Sequence, residues 1–190
     1  MKSLVIILLC VFSVNGLAQN ISHWYILGGT SLYAENVDHA VGEGLGVRLG
    51  FGAQINQNFG IELVLGSTPS LDPEDLNTFI GDDTDTDIVN YSVDRTASNW
   101  YTTAFATYSY PVQERLALVG KLGWSTIRQR IYFNIKGGGK TETNTSRGPH
   151  IEFGLGFSMT WRTELAVTLS HVFSDEAEAT GIHCAYKRKF

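Results

Sequence analysis

Hydrophobic and polar residues alternate with a period of two along most of the chain beyond residue 22, and the three-to-four spacing of amphipathic helices is nearly absent. Beyond Gly44, one face carries Leu45, Val47, Leu49, Phe51, Ala53 and Ile55, against Gly46, Arg48, Gly50, Gly52 and Gln54. After a tight Asn56-Gln57-Asn58 turn, Phe59, Ile61, Leu63 and Leu65 face away from Gly60, Glu62, Val64 and Gly66. Ile151, Phe153, Leu155, Phe157 and Met159 alternate in the same way with Glu152, Gly154, Gly156 and Ser158. The pattern predicts eight strands, near 23–33, 44–55, 59–67, 99–110, 115–127, 147–160, 164–173 and 181–190. A soluble sandwich also alternates. Here the second face is filled by glycines and a few charges, which suits a narrow polar lumen better than a solvated exterior.

Connection lengths point the same way. Turns at 56–58, 111–114 and 161–163 are short, while 34–43, 68–98, 128–146 and 174–180 are mostly longer, the asymmetry of a barrel with one periplasmic and one extracellular end. Trp24, Tyr33, Trp100, Tyr110, Trp124 and Trp161 fall near strand ends, as interfacial girdles require. The predicted fold is all-β: an eight-stranded antiparallel up-and-down transmembrane β-barrel in a Gram-negative outer membrane, over residues 19–190. Residues 1–18 read as a signal peptide, with Lys2, an apolar run from Leu4 to Val14 and small residues at Gly16 and Ala18. That run is too short for a spanning helix, which needs about 20 apolar residues.

Composition narrows the partners. The chain of 190 residues has a formal net charge of −5, which argues against nucleic acid, whose phosphates select clustered Lys and Arg. With 17% charged residues, 12% aromatics and 4 prolines, the bulk of the chain is not of disordered composition. Removal of residues 1–18 takes Cys10 with it and leaves Cys184 as the single thiol, so no intramolecular disulfide forms.

The segments His23-Trp24-Tyr25-Ile26-Leu27-Gly28-Gly29, Phe59-Gly60-Ile61-Glu62, Tyr110-Pro111-Val112 and Leu116-Ala117-Leu118-Val119-Gly120-Lys121-Leu122-Gly123, with the terminal Phe190, stand in an order that resembles the small outer-membrane β-barrel family typified by the OmpA transmembrane domain and OmpX. The resemblance spans nearly all of residues 19–190. In the OmpA domain a charged cluster from strands three, four, six and seven blocks the lumen. By position its strand-three carboxylate corresponds to Glu62, and a lumenal basic residue of strand five to Lys121. The remaining positions fall on neutral Thr107, Ser158 and Thr168, so that particular gate is not reproduced. The family usually carries an aromatic two residues before its terminal Phe; Arg188 stands there, while Ile182, Cys184, Tyr186 and Phe190 share one face.

Four charged residues, Arg48, Glu62, Lys121 and Glu152, are the candidate lumenal site. Counted from the periplasmic turns, they predict two ion-pair layers, Glu62 with Lys121 and Arg48 with Glu152, because unpaired charges in so narrow an interior are costly. Catalytic residues are not expected. Outer-membrane lipid A deacylases use His, Ser and a carboxylate, but His171 has Ser170 on the opposite face and Ser174 three positions away, so a rim histidine is the simpler reading. Asp82, Asp83, Asp85 and Asp87 form a possible cation-binding loop; an EF-hand is excluded by Ile88 where Gly is required and by Asp94 in place of the bidentate Glu. Asp72-Pro73-Glu74-Asp75-Leu76 reads as the start of a short surface helix, and Gly137-Gly138-Gly139 as a loop tip. No cofactor, dedicated metal site or His/Cys ligand cluster is expected. The expected partners are outer-membrane lipid and lipopolysaccharide, and a host-surface or other extracellular ligand reached through residues 68–98, with the chain a monomer. The expected function is a structural or adhesion-type surface barrel with a mostly closed lumen. The alternatives are a narrow solute channel and, further off, a lipid A-modifying enzyme.

Overall fold

The computed structural model describes residues 23–34, 36, 41–69, 94–135, 138–174 and 178–190, with side chains described outside 94–98, 131–140 and 142. The expected leader 1–18, the short helix at 72–76 and the acidic cluster Asp82, Asp83, Asp85 and Asp87 lie outside the described residues.

Eight strands follow one another: β1 His23–Tyr33, β2 Gly44–Gln54, β3 Phe59–Thr68, β4 Asp94–Gln113, β5 Leu116–Ile135, β6 Gly138–Ser158, β7 Thr163–Val172 and β8 Ala179–Lys189. Each pairs antiparallel with its sequence neighbours and β1 pairs with β8, so the sheet closes. Closure leaves no edge, and this is what lets a sheet satisfy its backbone hydrogen bonds in lipid. Among the described residues no helix is long and apolar enough to cross a membrane.

Alternation decides which side chain goes where. Leu45, Val47, Leu49, Phe51, Leu63, Leu65, Leu122 and Phe153 all point outward and are roughly half to three-quarters exposed. A continuous belt of exposed apolar side chains is intelligible only against hydrocarbon. Trp24 stacks on Phe51 with ring centroids 5.2 Å apart, and Arg162 lies 4.0 Å over the Trp161 ring at the periplasmic β6–β7 turn. Tyr33, expected in the girdle, is buried and turned into the lumen, with its ring edge on His183. It stands nine residues after Trp24, so strict alternation puts the two on opposite faces.

Two boundaries differ from the expected ones. Residues 128–135 and 138–146 are not a loop: β5 and β6 continue as a paired ladder from Arg128↔Thr145 to Ile135↔Gly138. Gly138 and Gly139 are accordingly strand residues, and the 68–98 connection shortens because β4 begins at Asp94. Strands β4, β5 and β6 reach 20, 20 and 21 residues, about twice the ~9–11 that cross a bilayer. One side of the barrel therefore projects beyond the membrane.

Lumenal rings are fitted onto glycines. A Cβ on Gly52 would run into the Tyr25 ring, and one on Gly66 into the Tyr101 ring. Each glycine is the cross-strand partner of the ring that covers it.

Candidate functional site

Arg48, Glu62, Lys121 and Glu152 come from β2, β3, β5 and β6, each on the inward parity of its strand and each at most 4% exposed. Lys121 Nζ donates to Glu62 Oε1 at 2.6 Å and lies 3.0 Å from Glu152 Oε2; Arg48 Nη2 lies 2.9 Å from Glu152 Oε1 and 3.9 Å from Glu62 Oε1. The four therefore form one cluster rather than two separate layers. Register explains this, since Lys121 sits directly opposite Glu152 in the β5–β6 ladder. Tyr25 Oη donates to Glu62 Oε2 at 3.2 Å, and Thr168 Oγ1 donates to Glu152 Oε2 at 3.2 Å.

The cluster continues toward the periplasm through residues that the sequence reading did not single out. Lys187 Nζ lies 3.8 Å from Glu62 Oε2 and 3.5 Å from Glu164 Oε1, and Lys189 Nζ lies 3.5 Å from Glu164 Oε2. Opposite charges thus alternate from Lys189 at the periplasmic rim to Arg48 in mid-barrel. A cavity of about 180 Å³ at that rim is lined by Tyr25, Gln54, Arg115, Glu164, Lys187 and Lys189 among others. Parity could have found Lys187, because it alternates with the outward Tyr186 and Arg188.

On the extracellular side of the charges the lumen turns to hydroxyls, imidazoles and rings. His150 Nδ1 lies 2.9 Å from Ser125 Oγ and 3.2 Å from Thr103 Oγ1, and His183 Nδ1 lies 2.5 Å from Ser31 Oγ. Their Nε2 atoms stand 3.8 and 3.9 Å from Glu152 Oε1. Ligand spacing along the chain gave no His cluster; the fold assembles one from β6 and β8. Beyond it Tyr33, Tyr101, Ile127, Val172 and Ala179 belong to one buried apolar cluster with Val41, which a two-way backbone bridge to Asn36 holds in place.

The serines weighed as nucleophiles are engaged elsewhere. Ser170 Oγ donates to Gly181 O at 3.3 Å, and Ser174 pairs with Ser146. His171 instead ties β7 to β8, with Nδ1 2.8 Å from Thr180 Oγ1 and Nε2 3.1 Å from Glu178 Oε1.

A closed eight-stranded barrel with an apolar outer belt and a charged, side-chain-filled lumen defines the small membrane-spanning β-barrels of outer membranes. The chain belongs to the outer membrane protein beta-barrel domain family, whose model matches residues 4–190, and its place is the Gram-negative outer membrane. Similar solved structures include Neisserial surface protein A at 13% identity, covering 88% of this chain and 97% of that one with a TM-score of 0.60. The attachment invasion locus protein Ail of Yersinia pestis is 13% identical, with coverage of 88% and 97% and a TM-score of 0.55. Ail has also been crystallised with the heparin analogue sucrose octasulfate; that structure is 14% identical, with coverage of 88% and 97% and a TM-score of 0.54. No curated protein matches the chain.

Proposed function

We propose that this barrel is a non-enzymatic surface-interaction protein that acts through its extracellular end, with its lumen closed to solutes. The observation that carries the reading is the buried cluster of Arg48, Glu62, Lys121 and Glu152, which fills mid-lumen with opposite charges in contact. The apolar cap of Tyr33, Val41, Tyr101 and Val172 supports it from the extracellular side. An ion crossing this lumen would have to part charges held at 2.6–3.0 Å.

The projecting β4–β6 wall gives the interaction a location. Arg128 and Arg130 on β5 and Arg147 on β6 are exposed on its outward face, and Arg128 is the cross-strand partner of Trp100. Three guanidinium groups near an aromatic belt suit a polyanionic glycan, because Arg binds sulfate and phosphate in bidentate fashion. The complex of Ail with a sulfated sugar is the motive for testing that class here. The connection between β3 and β4, residues 69–93, opens at the same end and is the second region to which we assign contact.

Planar-bilayer recording together with heparin binding tests the reading. We expect no steady conductance, and heparin binding that falls at least tenfold in an Arg128→Ser/Arg130→Ser/Arg147→Ser variant. Stable ion-selective openings would replace the reading with that of a narrow channel. Should heparin binding survive both that variant and removal of residues 70–93, the surface assignment fails.

A further inference from the structure

His150, Glu152 and His183 offer three ligand atoms within 4.8 Å of one another, all deep in the lumen. The residues are 2%, 1% and 1% exposed. The three atoms that converge, His150 Nε2, His183 Nε2 and Glu152 Oε1, are each buried without a hydrogen-bond partner. Buried polar atoms rarely go unpartnered; Glu152 Oε1 already has the Arg48 guanidinium beside it, and the two imidazole nitrogens aimed at the same oxygen mark a place for an occupant.

The surroundings orient this set as outer-shell groups orient metal ligands. Each imidazole is held at Nδ1 by a hydroxyl, Ser125 and Thr103 for His150 and Ser31 for His183, which leaves Nε2 facing the carboxylate. A hydroxyl oxygen can accept from Nδ1–H, and in that tautomer Nε2 carries the lone pair a metal needs. The carboxylate is held by its other oxygen, Oε2, against Lys121 and Thr168. Oε1 faces Arg48 Nη2 at 2.9 Å, yet neither atom has an aligned hydrogen-bond partner.

We propose that His150, His183 and Glu152 form a binding site for one divalent transition-metal ion of the zinc, cobalt or nickel class. Two imidazoles and one carboxylate are the donor set such ions take, with water completing the coordination. Metal–ligand bonds of about 2.0–2.2 Å bring ligand atoms to about 3.0–3.4 Å, so the two His–Glu152 separations of 3.8 and 3.9 Å, and that between the two imidazoles, which is within 4.8 Å, must all contract by side-chain rotation when an ion binds. Arg48 is the competitor: its positive charge beside Oε1 opposes the ion and must shift when one binds. The site is therefore weak while Arg48 is present and stronger without it, the signature that separates a lumenal site from surface histidines.

The test uses the untagged full chain, folded in detergent, stripped with a chelator and checked by heat-modifiability on a gel. Equilibrium dialysis against Co²⁺ and Zn²⁺, with the visible absorption of Co²⁺ as reporter, reads stoichiometry and affinity. One ion per chain is expected, with affinity reduced at least tenfold in His150→Gln and in His183→Gln, unchanged in His171→Gln, and increased in Arg48→Gln. Absence of stoichiometric binding in wild type would overturn the proposal and leave the three atoms to bridging water. So would binding that persists in the His150→Gln/His183→Gln double variant. If the histidine variants do not fold, Arg48→Gln decides, and an affinity there equal to or below wild type overturns the proposal.

Discussion

The two ends of the lumen solve the same filling problem with different chemistry. From the periplasmic rim to mid-barrel the space is occupied by Lys189, Glu164, Lys187, Glu62, Lys121, Glu152 and Arg48, each in reach of an opposite charge, with the Tyr25 and Phe105 rings packed against the lysines. Toward the extracellular end it is filled by rings, hydroxyls and Val41, with Tyr33, Tyr101 and Val41 in one apolar cluster. A charged filling is rigid in composition, since the loss of one member strands its neighbours. An apolar filling tolerates changes of identity but not of volume. The lesson is that one narrow lumen can have an electrostatically specified half and a sterically specified half, each failing in its own way.

The contrast can be broken most severely at Glu152. Glu152→Leu strips Arg48 of its close counterion and leaves Arg48 and Lys121 to share Glu62; a loss of about 3–5 kcal/mol is expected, read as a lower urea midpoint for unfolding of the detergent-folded barrel. Next comes the steric half. Gly66→Val drives a branched side chain into the Tyr101 ring, and a loss of about 1–3 kcal/mol is expected by the same measurement. A double-mutant cycle on Glu62 and Lys121 sharpens the electrostatic side, with a coupling of at least about 1 kcal/mol expected, against near zero for Glu62 with Tyr101. The smallest stability effect belongs outside the lumen. Arg128→Ser is expected to move the urea midpoint by no more than about 0.5 kcal/mol while weakening heparin binding.

Much of this was legible along the chain, wherever one face of a strand meets lipid. There alternation is enforced, and β1, β2, β3 and β7 fall within about a residue of their expected bounds. It failed where the strands leave the bilayer. On β5 the alternation of Ile131, Phe133 and Ile135 with Arg130, Tyr132 and Asn134 continues past Arg128 but was passed over beside Gly137-Gly138-Gly139; from Lys140 to Thr145 both faces of β6 are polar, and only β-branched Thr141, Thr143 and Thr145 hint at extended backbone. Arg48, Glu62 and Glu152 were found because each interrupts a glycine-rich inner face, and Lys121 through the resemblance to the small outer-membrane barrels. Tyr33 was misplaced because position near a strand end was weighed above parity. His183 and Lys187 were passed over because the last strand was judged by its outward residues alone. The His150–Glu152–His183 cluster needed register, since His183 lies far from the other two in sequence and spacing along one strand cannot bring it to them.

Lys187 and His183 both belong to β8, the last strand to leave the ribosome and the one that seals against β1. Until it arrives, Glu62 and Glu164 lack the lysine that stands between them. A slip of one residue at the seam would turn Lys187 and His183 out into hydrocarbon and bring Tyr186 and Arg188 inward. The charge chain thus depends on the seam: the observed pairing of β8 with β1 and β7 is what sets Lys187 between Glu62 and Glu164 and keeps His183 beside Ser31.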